Sequence, residues 1–108
     1  MTKLSSHSEM DILFKKGKRI RCFPVQLIYV ESSKLVWGVT VRKKNIKLAV
    51  KRNKIKRVLR VLAKKHLVSH FQKNSINYTF LIVYLDKNNI SFNEMNRVFI
   101  DLKKRLLN

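Results

Sequence analysis

Apolar residues recur along this chain at two different periods. From Leu48 to Leu67, the positions Leu48, Ile55, Val58, Leu59, Leu62 and Leu67 keep helical spacing with Ala49 and Ala63 beside them, so the segment predicts a helix seated on a core. The same period returns at Phe92, Met95, Phe99, Leu102 and Leu106 after the capping box Ser91-Phe92-Asn93-Glu94, and predicts a closing amphipathic helix. A shorter helix opens at a second capping box, Ser6-His7-Ser8-Glu9, carries Met10, Leu13 and Phe14, and stops at Gly17. Elsewhere the period is two. Lys18 to Arg21 starts one strand. Pro24 to Val30 forms the next, with Val25, Leu27 and Tyr29 alternating with Gln26, Ile28 and Val30, and Pro24 at its beginning. Ser32-Ser33-Lys34 then connects to a β-branched strand from Leu35 to Arg42, and these two strands are expected to pair as an antiparallel hairpin. After a polar stretch from Gln72 to Asn77, Tyr78 to Leu85 is apolar on both faces and reads as a buried central strand. The order α-β-β-β-α-β-α predicts an α+β two-layer sandwich, one four-stranded mixed sheet with helices packed on it. No repeat or linker divides residues 1–108, which read as a single basic domain.

Charge alters this picture of an ordinary small domain. The 108 residues contain 25 Lys and Arg and 6 Asp and Glu, a formal net charge of +19. Self-repulsion of that size disfavours the compact state, so it points to a polyanionic partner. The longest apolar run is too short to span a bilayer, and the start of the chain has no signal-peptide segment, so no membrane association is expected. A single cysteine, Cys22, forms no internal disulfide and fits a reducing cytoplasmic compartment. The placement of the charge narrows the partner further. No carboxylate stands between Glu31 and Asp86, an interval that holds 14 Lys and Arg. Arg42, Lys43, Lys44, Lys47, Lys51, Arg52, Lys54, Lys56 and Arg57 crowd one short segment, while Arg52, Lys56, Arg60 and Lys64 recur at i, i+4 on the long helix. A flexible basic arm has no use for the apolar stripe beneath them. An ordered phosphate-contacting footprint does.

Catalytic material is scarce. Six scattered acids are poor ligands for catalytic metal ions, and Glu9 and Asp11 do not share a helix face. His66 and His70 have the i, i+4 spacing of metal ligands, yet no Cys or acid close in sequence completes a site, and the expected helix C-terminus accounts for both. With only Gly17 and Gly38, no glycine-rich phosphate loop can form. Trp37 and the other aromatics offer stacking planes, but Phe80, Phe92 and Phe99 fall on stripes that predict core.

The stretch Gly38-Val39-Thr40-Val41-Arg42-Lys43-Lys44, continuing through Ala49-Val50-Lys51-Arg52-Asn53-Lys54-Ile55-Lys56-Arg57-Val58-Leu59-Arg60, resembles the signature of the bacterial ribonuclease P protein family. In that family a strand ending in a Lys pair leads into an A-V-x-R-N-x-x-K-R-x-x-R helix. The resemblance extends to a first helix with Phe14 before Lys-Lys-Gly, a Pro-initiated strand, a late apolar strand and a final amphipathic helix, and so covers nearly the whole chain. Three positions depart from it. Lys47-Leu48 stands where Gly-Asn is common, with one extra residue after the Lys pair; Met10 takes the place of a first-helix Phe; and Lys54 replaces an Arg.

The resemblance implies a protein subunit whose partner RNA is the catalyst, working with bound magnesium ions on precursor transfer RNA to remove its 5′ leader endonucleolytically. It implies that Lys43, Lys44, Arg52, Asn53, Lys54, Lys56, Arg57 and Arg60 contact the catalytic RNA, and that Met10, Phe14 and an outward-facing Ile28 line a cleft for the single-stranded leader. No catalytic residue and no metal ligand of this chain's own is expected, nor an obligate protein partner. Phe14 equally suits core packing. Two other readings stand beside this one. A ribosomal or other structural RNA-binding protein would suit the charge and size, although the helix signature speaks against it. A basic DNA-binding domain would place a helix, not a strand, before its recognition helix.

Overall fold

The most apolar segment of the chain takes the most enclosed position in the fold. In the computed structural model the backbone is described for residues 2–3 and 7–107 and the side chains for 11–107. Strand β5 (Tyr78–Tyr84) lies inside a mixed sheet of order β1-β4-β5-β3-β2, and every residue of it but Tyr78 is buried. It runs parallel to β4 (Val36–Val41) and antiparallel to β3 (Val25–Glu31), with Phe80 opposite both Trp37 and Tyr29. At one edge β2 (Lys18–Cys22) pairs antiparallel with β3 through a turn at Phe23-Pro24. Beyond β4 the two residues of β1 (Thr2–Lys3) extend the four-stranded sheet in parallel.

The expected hairpin between the second and third main strands does not form. β5 separates β3 from β4, because a strand apolar on both faces gains most where both faces and both edges are covered. The hairpin partner of β3 is instead β2. The loop after β3 crosses the gap left for β5, held by Ser32 N–H donating to Asn77 O at 3.1 Å and the Ser32 hydroxyl to Lys34 O at 2.6 Å.

Strand alternation sends Phe80, Ile82 and Tyr84 to one face and Leu81 and Val83 to the other. The first face carries the main core. Helix α2 (Ala49–Ala63) packs on β4 and α4 (Phe92–Leu107) on β2, and the two helices touch. Ile55, Leu59, Leu62, Met95, Phe99 and Leu102 close that layer. Trp37 stacks on Phe80 at 5.7 Å, and Phe71 meets Phe80 and Tyr78 edge-on at 5.6 and 5.2 Å. The opposite face has a much smaller cluster of Leu13, Ile28, Leu81 and Val83, covered by α1 (His7–Lys16). Gly17 closes α1, its N–H donating to Leu13 O at 2.8 Å. A Cβ there would collide with Leu13 O and come within 2.9 Å of Ile28 Cγ2, so the helix end approaches β3 only because residue 17 has no side chain.

The basic helix runs further than its apolar stripe predicts. After α2 comes one π-helical turn, Lys64–Val68, and then α3 (Ser69–Lys73), so Gln72 and Lys73 are helical and not loop. A π turn holds one extra residue. The buried row accordingly shifts by one, from Leu59, Leu62 and Ala63 to Leu67, Val68 and Phe71, which brings Phe71 into the aromatic cluster and turns His66 partly out of it. At the start of α4 Ser91 caps the helix, with Glu94 N–H donating to Ser91 Oγ at 3.2 Å and that hydroxyl donating to Glu94 Oε1 at 3.2 Å, so the two residues of the expected capping box do meet. Phe92, expected in the core, is 50% exposed, because the buried stripe begins one turn later at Met95. Phe80 and Phe99 are in the core as expected. The Ser6–Glu9 capping box and the side chain of Met10 lie outside the described residues.

Candidate nucleic-acid interface

The crossover from β4 to α2 is built to present charge from a rigid base. Asn45 and Ile46 N–H groups both donate to Arg42 O, at 3.0 and 3.1 Å, and fold residues 42–46 into a tight turn with Lys43 and Lys44 exposed on it. Two side chains fasten that turn. Ile46 is buried in the main core, and Asn45 Nδ2 donates to Leu85 O at 3.0 Å, tying the crossover to the end of β5. Arg52 Nη1 then donates back to Ile46 O at 2.9 Å and Lys47 O at 2.8 Å, so the first turn of α2 grips the loop that leads into it. Lys47 thus belongs to an anchored loop, with Leu48 at the N-cap that follows it.

Beyond the clamp, α2 shows solvent a surface of one sign. Lys51, Asn53, Lys54, Arg57 and Arg60 are exposed, Lys56 is half-buried along its stem, and Lys64 continues the surface past the helix end. The first turn contains no acid, and Leu48 at the N-cap makes no side-chain hydrogen bond, so the positive end of the helix dipole adds to the field of the lysines around it. Val50, 80% exposed, and Leu48 place apolar contact area within that field. Cations closely spaced on a helix, with no carboxylate among them, suit a string of phosphates better than a solvated face, where signs would alternate. Of the basic residues read from the sequence, only Arg52 differs in kind. It is half-buried and its guanidinium is partly engaged by backbone carbonyls, so it positions the crossover as well as adding charge.

The second expected surface lies on the other face of the sheet. Phe14, on α1, is 46% exposed and is not core. Ile28, expected to face outward beside it, is only 1% exposed, since its face of β3 is the one α1 covers; Leu13 and Gly17 occupy the space above it. The ring of Phe14 instead stands by Arg19, whose Cζ lies 5.9 Å from the ring centroid and whose Nη2 donates to Phe14 O at 3.2 Å. Sequence reading passed over Asn45, Ile46 and Arg19. A lone apolar residue inside the basic run marked Ile46, and Arg at alternate positions of an edge strand marked Arg19 and Arg21.

The remaining chemical groups are occupied structurally. His66 Nε2 lies 2.7 Å from Asn96 Oδ1 with its ring stacked near Phe99, and His70 Nδ1 lies 3.3 Å from Asn74 Nδ2. Among the described residues no three His, Cys, Asp or Glu side chains converge as a metal-ion site, and no helix is long and apolar enough to cross a membrane. Burial pushes the Cys22 thiol up, with the Arg105 charge acting against it, so it is a poor nucleophile. Burial, and after it the Asp86 carboxylate, push the Tyr84 phenol up to about 12; its hydroxyl donates to Asn88 O.

Comparison with known proteins gives a consistent assignment. A family model described as Ribonuclease P matches residues 1–107. Among solved structures the chain is similar to the RNase P protein of Staphylococcus aureus, with a TM-score of 0.82 and 19% identity over 98% of this chain and 95% of that one. It is also similar to the RNase P protein of Thermotoga maritima, with a TM-score of 0.73 and 19% identity over 97% of each chain. A search of curated proteins finds no match. At such identities the structures speak for the fold, and the family match covers nearly the whole length.

Proposed function

From the premise that the chain belongs to the ribonuclease P protein family, we propose that it is the protein subunit of ribonuclease P, binding the catalytic RNA and the 5′ leader of precursor transfer RNA. In this reading the complex is an endoribonuclease that hydrolyses one phosphodiester bond and releases the mature 5′ end. Magnesium ions held by the partner RNA supply the metal chemistry of the cut. The protein neutralises, positions and holds.

The observation that carries the reading is the acid-free basic surface from Lys43 to Arg60 on an anchored crossover and helix. Lys43 and Lys44 on the turn and Asn53, Lys54, Lys56, Arg57 and Arg60 on α2 would each meet backbone phosphates of the catalytic RNA, with Arg52 keeping turn and helix in one body. Neutralising phosphate repulsion at the junction lowers the magnesium concentration needed to assemble RNA and substrate. Phe14 offers a stacking plane to an unpaired leader base, a contact that tolerates sequence because every base has a π-face. The compartment is the cytoplasm, and no further protein is required.

Reconstitution tests this. The purified chain is mixed with the ribonuclease P RNA of the same source at low magnesium, and precursor cleavage is timed. Cleavage several-fold faster than with RNA alone is expected. A rate equal to that of RNA alone removes the reading.

A further inference from the structure

Strand β2 forms one edge of the sheet, and its residues alternate between faces. Arg19 lies opposite Ile28 and Arg21 opposite Gln26, so both arginines belong to the face on which α1 sits. Lys18 and Ile20, opposite Tyr29 and Leu27, belong to the other. We infer that Arg19 and Arg21 form a phosphate-binding edge for the single-stranded RNA whose base stacks on Phe14. The inference rests on the leader-binding reading above and names residues for it that the basic signature does not contain.

Three observations support it. Arg19 is exposed, yet it is held in place: its Nη2 caps Phe14 O near the end of α1, and its guanidinium stands 5.9 Å from the Phe14 ring centroid. Its hydrogen-bond partner there is a carbonyl and not a carboxylate, so that bond neutralises none of its charge. A guanidinium has five N–H donors in a planar fork, and a single hydrogen bond to Phe14 O leaves the others to meet phosphate oxygens. Arg21 follows two residues on, about 7 Å along the strand, a step comparable with that between neighbouring phosphates of an extended single strand. Charged residues on an edge strand also discourage sheet-to-sheet pairing. That role requires neither a guanidinium beside an exposed aromatic ring nor two arginines on the α1 face.

The test uses the reconstituted holoenzyme, with binding of leader-bearing precursor and of mature transfer RNA measured across a salt series. Arg19→Gln is expected to weaken precursor binding and lower the log–log salt slope by about 0.7, the share of one single-strand phosphate, with mature transfer RNA unaffected. Arg19→Lys restores the slope. Because Arg19→Gln also removes a bond to α1, Arg21→Gln is the second variant, with the same selective loss expected. Equal losses for precursor and mature transfer RNA, or unchanged slopes in both variants, overturn the arginine edge. A wild-type holoenzyme without any preference for precursor overturns the parent reading instead.

Discussion

The two faces of the sheet are finished in different ways. On one, α2 and α4 seal a large core, and the outer side of α2 carries cations on a base that cannot shift without disturbing Ile46, Ile55 and Leu59. On the other, α1 covers a four-residue cluster and leaves Phe14 and Arg19 at its margin. The first face therefore presents a dense field of charge, which acts over about 8 Å at physiological salt; the second presents a ring, which acts only in contact, with Arg19 and Arg21 on the edge strand beside it. On the proposed function, in which one face meets a folded RNA and the other an unpaired strand, that inequality suits the two tasks.

The contrast can be broken most directly through stability. Phe80→Ala, in the sealed core, is expected to cost about 3–5 kcal/mol in urea unfolding, near the top of the range for core truncations, and Leu13→Ala, under α1, less. If Leu13→Ala costs as much, the small cluster is as important to folding as the large one. Phe14→Ala comes next, with an expected loss of about 1–3 kcal/mol in precursor binding by the holoenzyme, unfolding unchanged and mature transfer RNA unaffected. A loss shared by both RNAs would make Phe14 a structural residue. Arg57→Ala should lower the salt slope of assembly with the catalytic RNA by about one unit and leave stability within about 0.5 kcal/mol. An unchanged slope would put Arg57 outside the interface.

The subtlest difference is one of pH. Tyr84 holds its proton in the fold up to about 12, against 10.0 when unfolded. Above pH 10 the unfolded chain releases a proton that the folded chain keeps, so stability is complete below pH 10 and declines toward pH 12. In alkaline unfolding series Tyr84→Phe should show a shallower decline than wild type over that window. Parallel declines would mean that Tyr84 contributes nothing to it.

Much of this was legible in the residues because the signals were local. Periodicity located α2, α4 and the main strands, and Ser91 with Glu94 marked a helix start through a bond three residues long. What escaped depends on neighbours distant in sequence. No local feature says that β5 enters between β3 and β4, since that choice compares edges of a sheet not yet assembled. Ile28 alternates as an outward residue should, but α1 lies over it. Arg52 reads as one more cation until the carbonyls of Ile46 and Lys47 are found within its reach. Phe71 sat beyond the stripe because the stripe changes phase there.

That change of phase has a consequence for how the rod can vary. The wide turn at Lys64–Val68 works like a vernier between two scales. Upstream, spacing obeys the cation rows and the anchored crossover; downstream, it obeys the aromatic socket around Phe71. The fixed offset of one residue lets a single rod meet both sets of neighbours in phase, so an insertion or deletion on one side of the turn would throw the other side's contacts out of register.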